Sequence, residues 1–209
     1  LASRNRSLSN QMKLTYNLAD SSRYVFQASL SGDFSHVPGD FSQKQIVDGT
    51  QTYTALEQQQ SQSSSPVLDL YYFQQFTPRQ SLTLNAVGTY IGTQSSDSYD
   101  EGSPYRYNVD GRTYSLLSEA IYENRLKPFT LSAGLNYSQK YTNNEYTGDV
   151  SSVTPMHHNR VYLFSEIKGT WGKLRYSAGI GGSYLHYRQQ AHSYDYWSFC
   201  PKAALSYNF

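Results

Sequence analysis

His157 and His158 are neighbours, and two imidazoles chelate one metal ion only if both point the same way. In a strand adjacent residues face opposite sides, so the pair cannot share a ligand, and in the loop segment where they fall they read as solvated histidines. His36, His186 and His192 have no Cys or carboxylate at metal-ligand spacing, and no metal site is expected. Glu119 and Glu123 fall on the same face of a strand and could work as paired acid and base, or could simply make a wall polar. The run GIGG at 179–182 lacks the full dinucleotide spacing, and no helical pattern follows it. No catalytic residue and no cofactor are therefore expected, and the chain does not read as an enzyme. What remains is aromatic: Tyr105, Tyr107, Tyr194, Tyr196 and Trp197 sit in polar surroundings and could stack on sugar rings or another planar ligand. They could equally belong to an aromatic belt at a membrane interface.

Composition limits what can position these side chains. Of the 209 residues 38% are apolar and 16% charged, below the ordinary ~45–50% and ~25%, while 21 are Tyr. Disordered chains are poor in aromatics and carry high net charge, whereas this one stands at +1, which also gives no reason to expect a nucleic-acid partner. The single Cys200 excludes an internal disulfide framework. No apolar run approaches the ~18 residues of a membrane helix.

The apolar residues recur at every second position. Met12, Leu14, Tyr16 and Leu18 begin the pattern, and runs such as SLTLNAVGTYIG, FTLSAGLNYSQKY and LRYSAGIGGSYLHY continue it. About nine strands of roughly ten residues are predicted, each with one apolar and one polar face. Short connections at 19–22, 77–81, 124–128 and 171–173 carry Asp, Pro or Gly and read as tight hairpin turns at one end. Between them, 35–65, 93–112, 142–158 and 188–196 are rich in Ser, Gln, Asp and Asn and read as long loops at the other end. The stretch EQQQSQSSS reads as a loop tip. The predicted fold is all-β, an antiparallel up-and-down meander.

Strands leaving the four short turns share one register: Tyr24, Phe26, Ala28, Leu30; Leu82, Leu84, Ala86, Gly88; Phe129, Leu131, Ala133, Leu135; Leu174, Tyr176, Ala178, Ile180. Aromatics on that face recur at a spacing of eight, in Phe26 and Phe34, Tyr114 and Tyr122, Phe129 and Tyr137, Tyr176 and Tyr184. Eight residues tilted by ~40° project to roughly 20 Å, close to the ~25 Å apolar band of an outer-membrane barrel. Phe26, Ala28, Ala86, Phe129, Ala133, Tyr137, Tyr176, Ala178 and Tyr184 are thus expected to meet outer-membrane lipid. The opposite face, with Gln27, Ser29, Thr83, Asn85, Glu119, Asn136, Lys140 and Arg175, suits a wet lumen. A soluble antiparallel β-sandwich serving as a binding module is the alternative, its apolar face turned inward.

The chain also resembles the barrel of TonB-dependent outer-membrane receptors, in the outer-membrane β-barrel family common in Bacteroidetes. KLRYSAGIGGSYLHY is similar to the Gly-rich outward strand of that family, and YWSFCPKAALSYNF to its strand with Pro between an aromatic and an aliphatic residue. The resemblance implies a place in the bacterial outer membrane and a role in nutrient uptake. It also implies partners: the rest of the receptor barrel, its plug, and a TonB complex reached through those missing parts. Nine strands and no plug predict that residues 1–209 are one β-barrel segment, a partial transmembrane barrel cut from a larger receptor. A complete small barrel with an adhesive or structural role is the other membrane reading. KAALSYNF admits two readings: Lys202, Ala204, Tyr207 and Phe209 resemble a terminal assembly signal, or the segment is an ordinary interior strand.

Overall fold

The computed structural model describes residues 2–4, 7–20, 23–48, 51–100, 104–149 and 151–208. Its elements are β1 (Ala2–Arg4), β2 (Leu8–Asp20), β3 (Tyr24–Asp48), β4 (Gln51–Thr77), β5 (Gln80–Asp100), β6 (Pro104–Arg125), β7 (Phe129–Gly148), β8 (Ser152–Trp171), β9 (Leu174–Gln189), β10 (His192–Phe199) and β11 (Lys202–Tyr207). All belong to one 11-stranded antiparallel sheet. β1 and β2 both pair with β3 and are consecutive pieces of one lane. β10 and β11 likewise share the edge of β9, broken at Cys200 and Pro201, where proline has no N–H for the ladder. With those two mergers the 11 strands make 9 lanes in sequence order, the expected meander.

The short turns lie where the sequence places them, at one end, though residues 21 and 22 fall outside the described residues. The Arg23 amide donates to the Asp20 carbonyl at 3.0 Å. Gly172 takes φ +59°, a left-handed conformation that costs glycine little, between the paired ends Trp171 and Leu174.

The other end corrects the sequence reading. Instead of long loops, the strands run on: β3 has 25 residues and β4 has 27. The supposed loop tip EQQQSQSSS is strand, paired to β3 on one side and to β5 on the other. Connections here are as short as those at the opposite end. In these extensions both faces are made mostly of polar residues, so the apolar alternation disappears while the backbone ladder continues.

Register links the lanes into two faces. One row runs Leu18, Phe26, Tyr72, Leu84, Ala120, Leu135, Leu163, Gly182, Phe199. The next runs Tyr16, Ala28, Leu70, Ala86, Ser118, Tyr137, Val161, Tyr184, Trp197. Directly paired residues share a face, so Phe26, Ala28, Ala86, Phe129, Ala133, Tyr137, Tyr176, Ala178 and Tyr184 all lie on this apolar side. Among the described residues no large side chain is fully buried, and Leu14, Leu163, Ile180 and Leu205 are more than half exposed. No second sheet covers this face among the described residues, which removes the sandwich alternative.

The rows are not level with the turns. Tyr24, first in β3, aligns through Gln74 with Leu82, two residues into β5. Gln80 aligns through Asn124 with Leu131, two residues into β7, and Phe129 through Gly169 with Tyr176, two into β9. The wall therefore climbs about one residue per strand. A rise of ~3.3 Å against a spacing of ~4.8 Å tilts the strands by about 35°, at the lower edge of the range for outer-membrane barrels.

Candidate ligand-contact surface

The polar side of the sheet is built on two devices. Small residues make room for large neighbours: the ring of Phe164 lies over Gly134, and that of Tyr162 over Gly181, leaving no space for a Cβ at either glycine. Tyr162 and Phe164 stack with ring centroids 5.6 Å apart. This accounts for the repeated Ser-Ala-Gly of residues 132–134 and 177–179: alanine faces the apolar side, and glycine yields on the polar side. Gly179 does so for the stem of Glu166.

The second device is charge pairing. Glu166 is 8% exposed and is held by Lys168 Nζ at 3.0 Å and Lys202 Nζ at 3.1 Å. Desolvating a carboxylate is costly unless it is paired, and two ammonium groups from β8 and β11 pair it here. Glu119 accepts a hydrogen bond from Asn85 Nδ2 at 3.3 Å. Glu119 and Glu123 share the polar face but stand four residues apart, roughly 13 Å along one strand, too far to divide acid and base roles over one bond.

His157 and His158 point to opposite sides. His157 continues a row of rings on the apolar side, with centroid separations of 4.9 Å for Tyr90–Tyr114, 6.3 Å for Tyr114–Tyr141 and 4.5 Å for Tyr141–His157. Among the described residues no group of His, Cys, Asp or Glu is arranged to hold a metal ion. The GIGG run lies inside β9, with no helix after it.

The five aromatic candidates divide. Tyr105 and Tyr107 lie on the polar face of the β6 extension, 5.9 Å apart, and Tyr99 of β5 pairs directly opposite Tyr105. Tyr194 and Tyr196 lie on the polar face of β10, where Tyr194 meets Tyr187 of β9 at 6.2 Å. Trp197 turns to the apolar face and packs on Tyr184 at 4.6 Å. The structure thus makes two separate tyrosine platforms, four strands or roughly 19 Å apart along the sheet, and assigns Trp197 to neither. Tyr99 and Tyr187 are the members that the sequence reading missed. Finding Tyr99 requires the register of β5 on β6, because only that register sets it opposite Tyr105.

Beyond the ring row on the apolar side, Arg112 binds Asp110 through two hydrogen bonds, Nε to Oδ1 at 3.1 Å and Nη2 to Oδ2 at 2.9 Å. This guanidinium holds the Asp110 carboxyl below the usual carboxylate range.

No sequence-family profile matches the chain, and no curated protein matches it in sequence. Solved structures do match. The ferric citrate transporter FecA, in its unliganded form, superposes with a TM-score of 0.52 at 13% identity, over 96% of this chain and 39% of FecA. The fold is that of an outer-membrane β-barrel wall. The outer-membrane receptor FauA from Bordetella pertussis is also similar, with a TM-score of 0.46 at 8% identity over 99% of this chain and 40% of FauA. This chain therefore spans about two fifths of the length of each.

Proposed function

We propose that this chain is part of the wall of an outer-membrane β-barrel receptor for TonB-dependent nutrient uptake, binding its ligand and acting without enzymatic chemistry of its own. The observation that carries the reading is the climb of one residue per strand in a single unclosed sheet, which superposes on the FecA wall over 96% of its length. The apolar face supports it. Tyr90 lies ten residues beyond Gln80 at the turn end, which at this tilt is roughly 27 Å, close to the ~25 Å apolar band of such barrels. On this reading Tyr90, Tyr114, Tyr141, Tyr184 and Trp197 form the outer ring belt, and Phe129, Trp171, Tyr176 and Tyr207 the inner one. The long extensions face outward, and the platforms of Tyr99, Tyr105, Tyr107 and of Tyr187, Tyr194, Tyr196 contact ligand at the lumen mouth. The KLRYSAGIGGSYLHY and YWSFCPKAALSYNF segments favour the Bacteroidetes type.

The remaining wall, a plug and the TonB complex are the partners this reading requires. A self-closed small barrel is the weaker choice, because closing nine lanes would set β2 beside β10 and β11 in parallel, unlike all other neighbours. The test is genetic. A strain lacking the gene should lose uptake of at least one nutrient, shared with a strain lacking its TonB homologue and abolished by a protonophore. Normal uptake together with lost surface adhesion would instead select the structural role.

A further inference from the structure

On the polar side of β7 to β10, one row of direct partners reads Lys140, His158, Tyr187, Tyr194, and the row nearer the turns reads Ser138, Arg160, Leu185, Tyr196. Lys140, Arg160, Tyr194 and Tyr196 are exposed. The Tyr187 hydroxyl donates to Gln189 Oε1 at 2.7 Å, which fixes its ring. From Lys140 to Tyr196 the group crosses three strand spacings, about 14 Å.

Charge sets this group apart from the other tyrosine platform. Among the described residues neither Lys140 nor Arg160 has a carboxylate within ion-pair distance. Outward from Asn136, Tyr162, Ser183 and Ser198, the polar face of these four strands carries no Asp or Glu among the described residues. Asp195, between the two tyrosines in sequence, faces the other side and accepts a hydrogen bond from Tyr184 at 2.6 Å. The nearest acid on the polar side is Glu119, two lanes away on β6 and one row nearer the turns, where it lines one hollow with Arg160. It keeps anions off the inner side of Arg160, so the unopposed positive charge lies outward, toward Lys140 and the rings. At the other platform the sign is reversed: Asp97 stands directly opposite Tyr107, and no Lys or Arg shares their row. Two unpaired cations flanked by exposed rings recognise an anion attached to a flat body, the charge meeting the cations and the body lying on the rings.

We propose that the ligand of the β7 to β10 platform is anionic: a carboxylate- or sulfate-bearing molecule whose charge is held by Lys140, Arg160 and His158 and whose sugar or aryl ring stacks on Tyr194 and Tyr196. The assignment rests on the receptor reading above and names the class of its ligand.

The full-length protein, purified in mild detergent, is titrated calorimetrically with two sets of probes. One set holds uronate and sulfated oligosaccharides beside their methyl-esterified or desulfated counterparts. The other holds ferric chelates of carboxylate and catecholate ligands beside an uncharged ferric hydroxamate. At least one acidic probe should bind, with its uncharged counterpart at least tenfold weaker. Lys140→Gln combined with Arg160→Gln should weaken the acidic probe about tenfold or more, as expected for charge-assisted hydrogen bonds at an exposed site, and spare the uncharged one. Tyr194→Ala combined with Tyr196→Ala should weaken both. Lys13→Gln removes a polar-face cation on β2 and should change binding less than about twofold. No binding of any acidic probe, equal binding of the uncharged counterparts, undiminished binding by the Lys140 and Arg160 double variant, or an equal loss in Lys13→Gln overturns the assignment. Binding confined to the oligosaccharides assigns the charge to a sugar acid, and binding confined to the chelates assigns it to a metal complex; both uphold the anion. Uptake is scored separately in the deletion strain. TonB-dependent uptake without anion preference in the purified protein sinks this inference and keeps the receptor reading, whereas anion binding with no uptake lost does the reverse.

Discussion

Replacing Ala133 by Arg puts a guanidinium on the apolar face four residues from Phe129, the first residue of β7. At a tilt of about 35° that is roughly 11 Å above the turn end, close to the middle of a ~25 Å apolar band. Arginine at the bilayer midplane of such barrels costs about 2–4 kcal/mol. At ~1.4 kcal/mol per tenfold, the folding equilibrium in lipid should fall by roughly thirtyfold to nearly a thousandfold. The matched control is Asn136→Arg, on the polar face directly opposite Glu119, where the new charge meets both water and a carboxylate. Ser132 is unsuitable as a control, because at 4% exposure it has no room for arginine. Urea titration of the full-length protein folded into phosphatidylcholine vesicles gives both equilibria. An equal loss for the two variants would refute the assignment of faces, and with it the lipid contact of Ala28, Ala86 and Ala178.

Gly134→Val should displace the Phe164 ring and cost about 1–3 kcal/mol by overpacking, and Phe164→Ala in the same chain should recover much of that. Unfolding midpoints of the single and double variants decide it; no recovery would mean that the strain lies elsewhere. Asp110 is held low in the folded state by Arg112, so its stabilising contribution is present above the unfolded carboxylate value of about 3.9 and is lost as pH falls through the folded value. Arg112→Gln should therefore flatten the stability profile below about pH 4 and leave its shape above pH 6 unchanged. Unfolding midpoints measured between pH 2 and 7 check this, and an unchanged acid limb would count against the pairing. Residues 1–209 expressed alone have unpaired backbone on the outer sides of β2 and of β10 with β11, so in vesicles they should associate instead of giving a protease-protected monomer. A protected monomer by light scattering and proteolysis would favour the self-closed barrel.

What the sequence made legible follows from where the two faces of the sheet differ in polarity. Between the ring belts one face is apolar and the other polar, so the period of two is plain and the faces of Phe26, Ala133 and Tyr184 could be assigned from it. Beyond the ring row both faces carry polar residues, and Gln58 to Ser65 show no apolar alternation, although their backbones remain in the ladder. Reading those segments as loops was the consequence. The same blindness left the aromatic candidates in one group: Tyr196 and Trp197 are adjacent in sequence, and a strand sends them to opposite sides. Tyr99 needed the cross-strand register, which no local pattern carries. The pairing of Glu166 with Lys202 joins β8 to a lane two strands away, and only the fold brings them together.

The two-residue step that recurs from β3 to β5, β5 to β7 and β7 to β9 makes each hairpin a copy of the last, related by the same screw motion. Adding or removing one whole hairpin would change the circumference of the wall by about two strand spacings, roughly 10 Å, and leave its slope untouched. Removing a single residue from one strand would do the reverse: the circumference would stay, but every side chain beyond the deletion would change faces. A wall of this kind can widen or narrow only in hairpin units, and duplication of a hairpin-coding segment is the change in the gene that its geometry tolerates best.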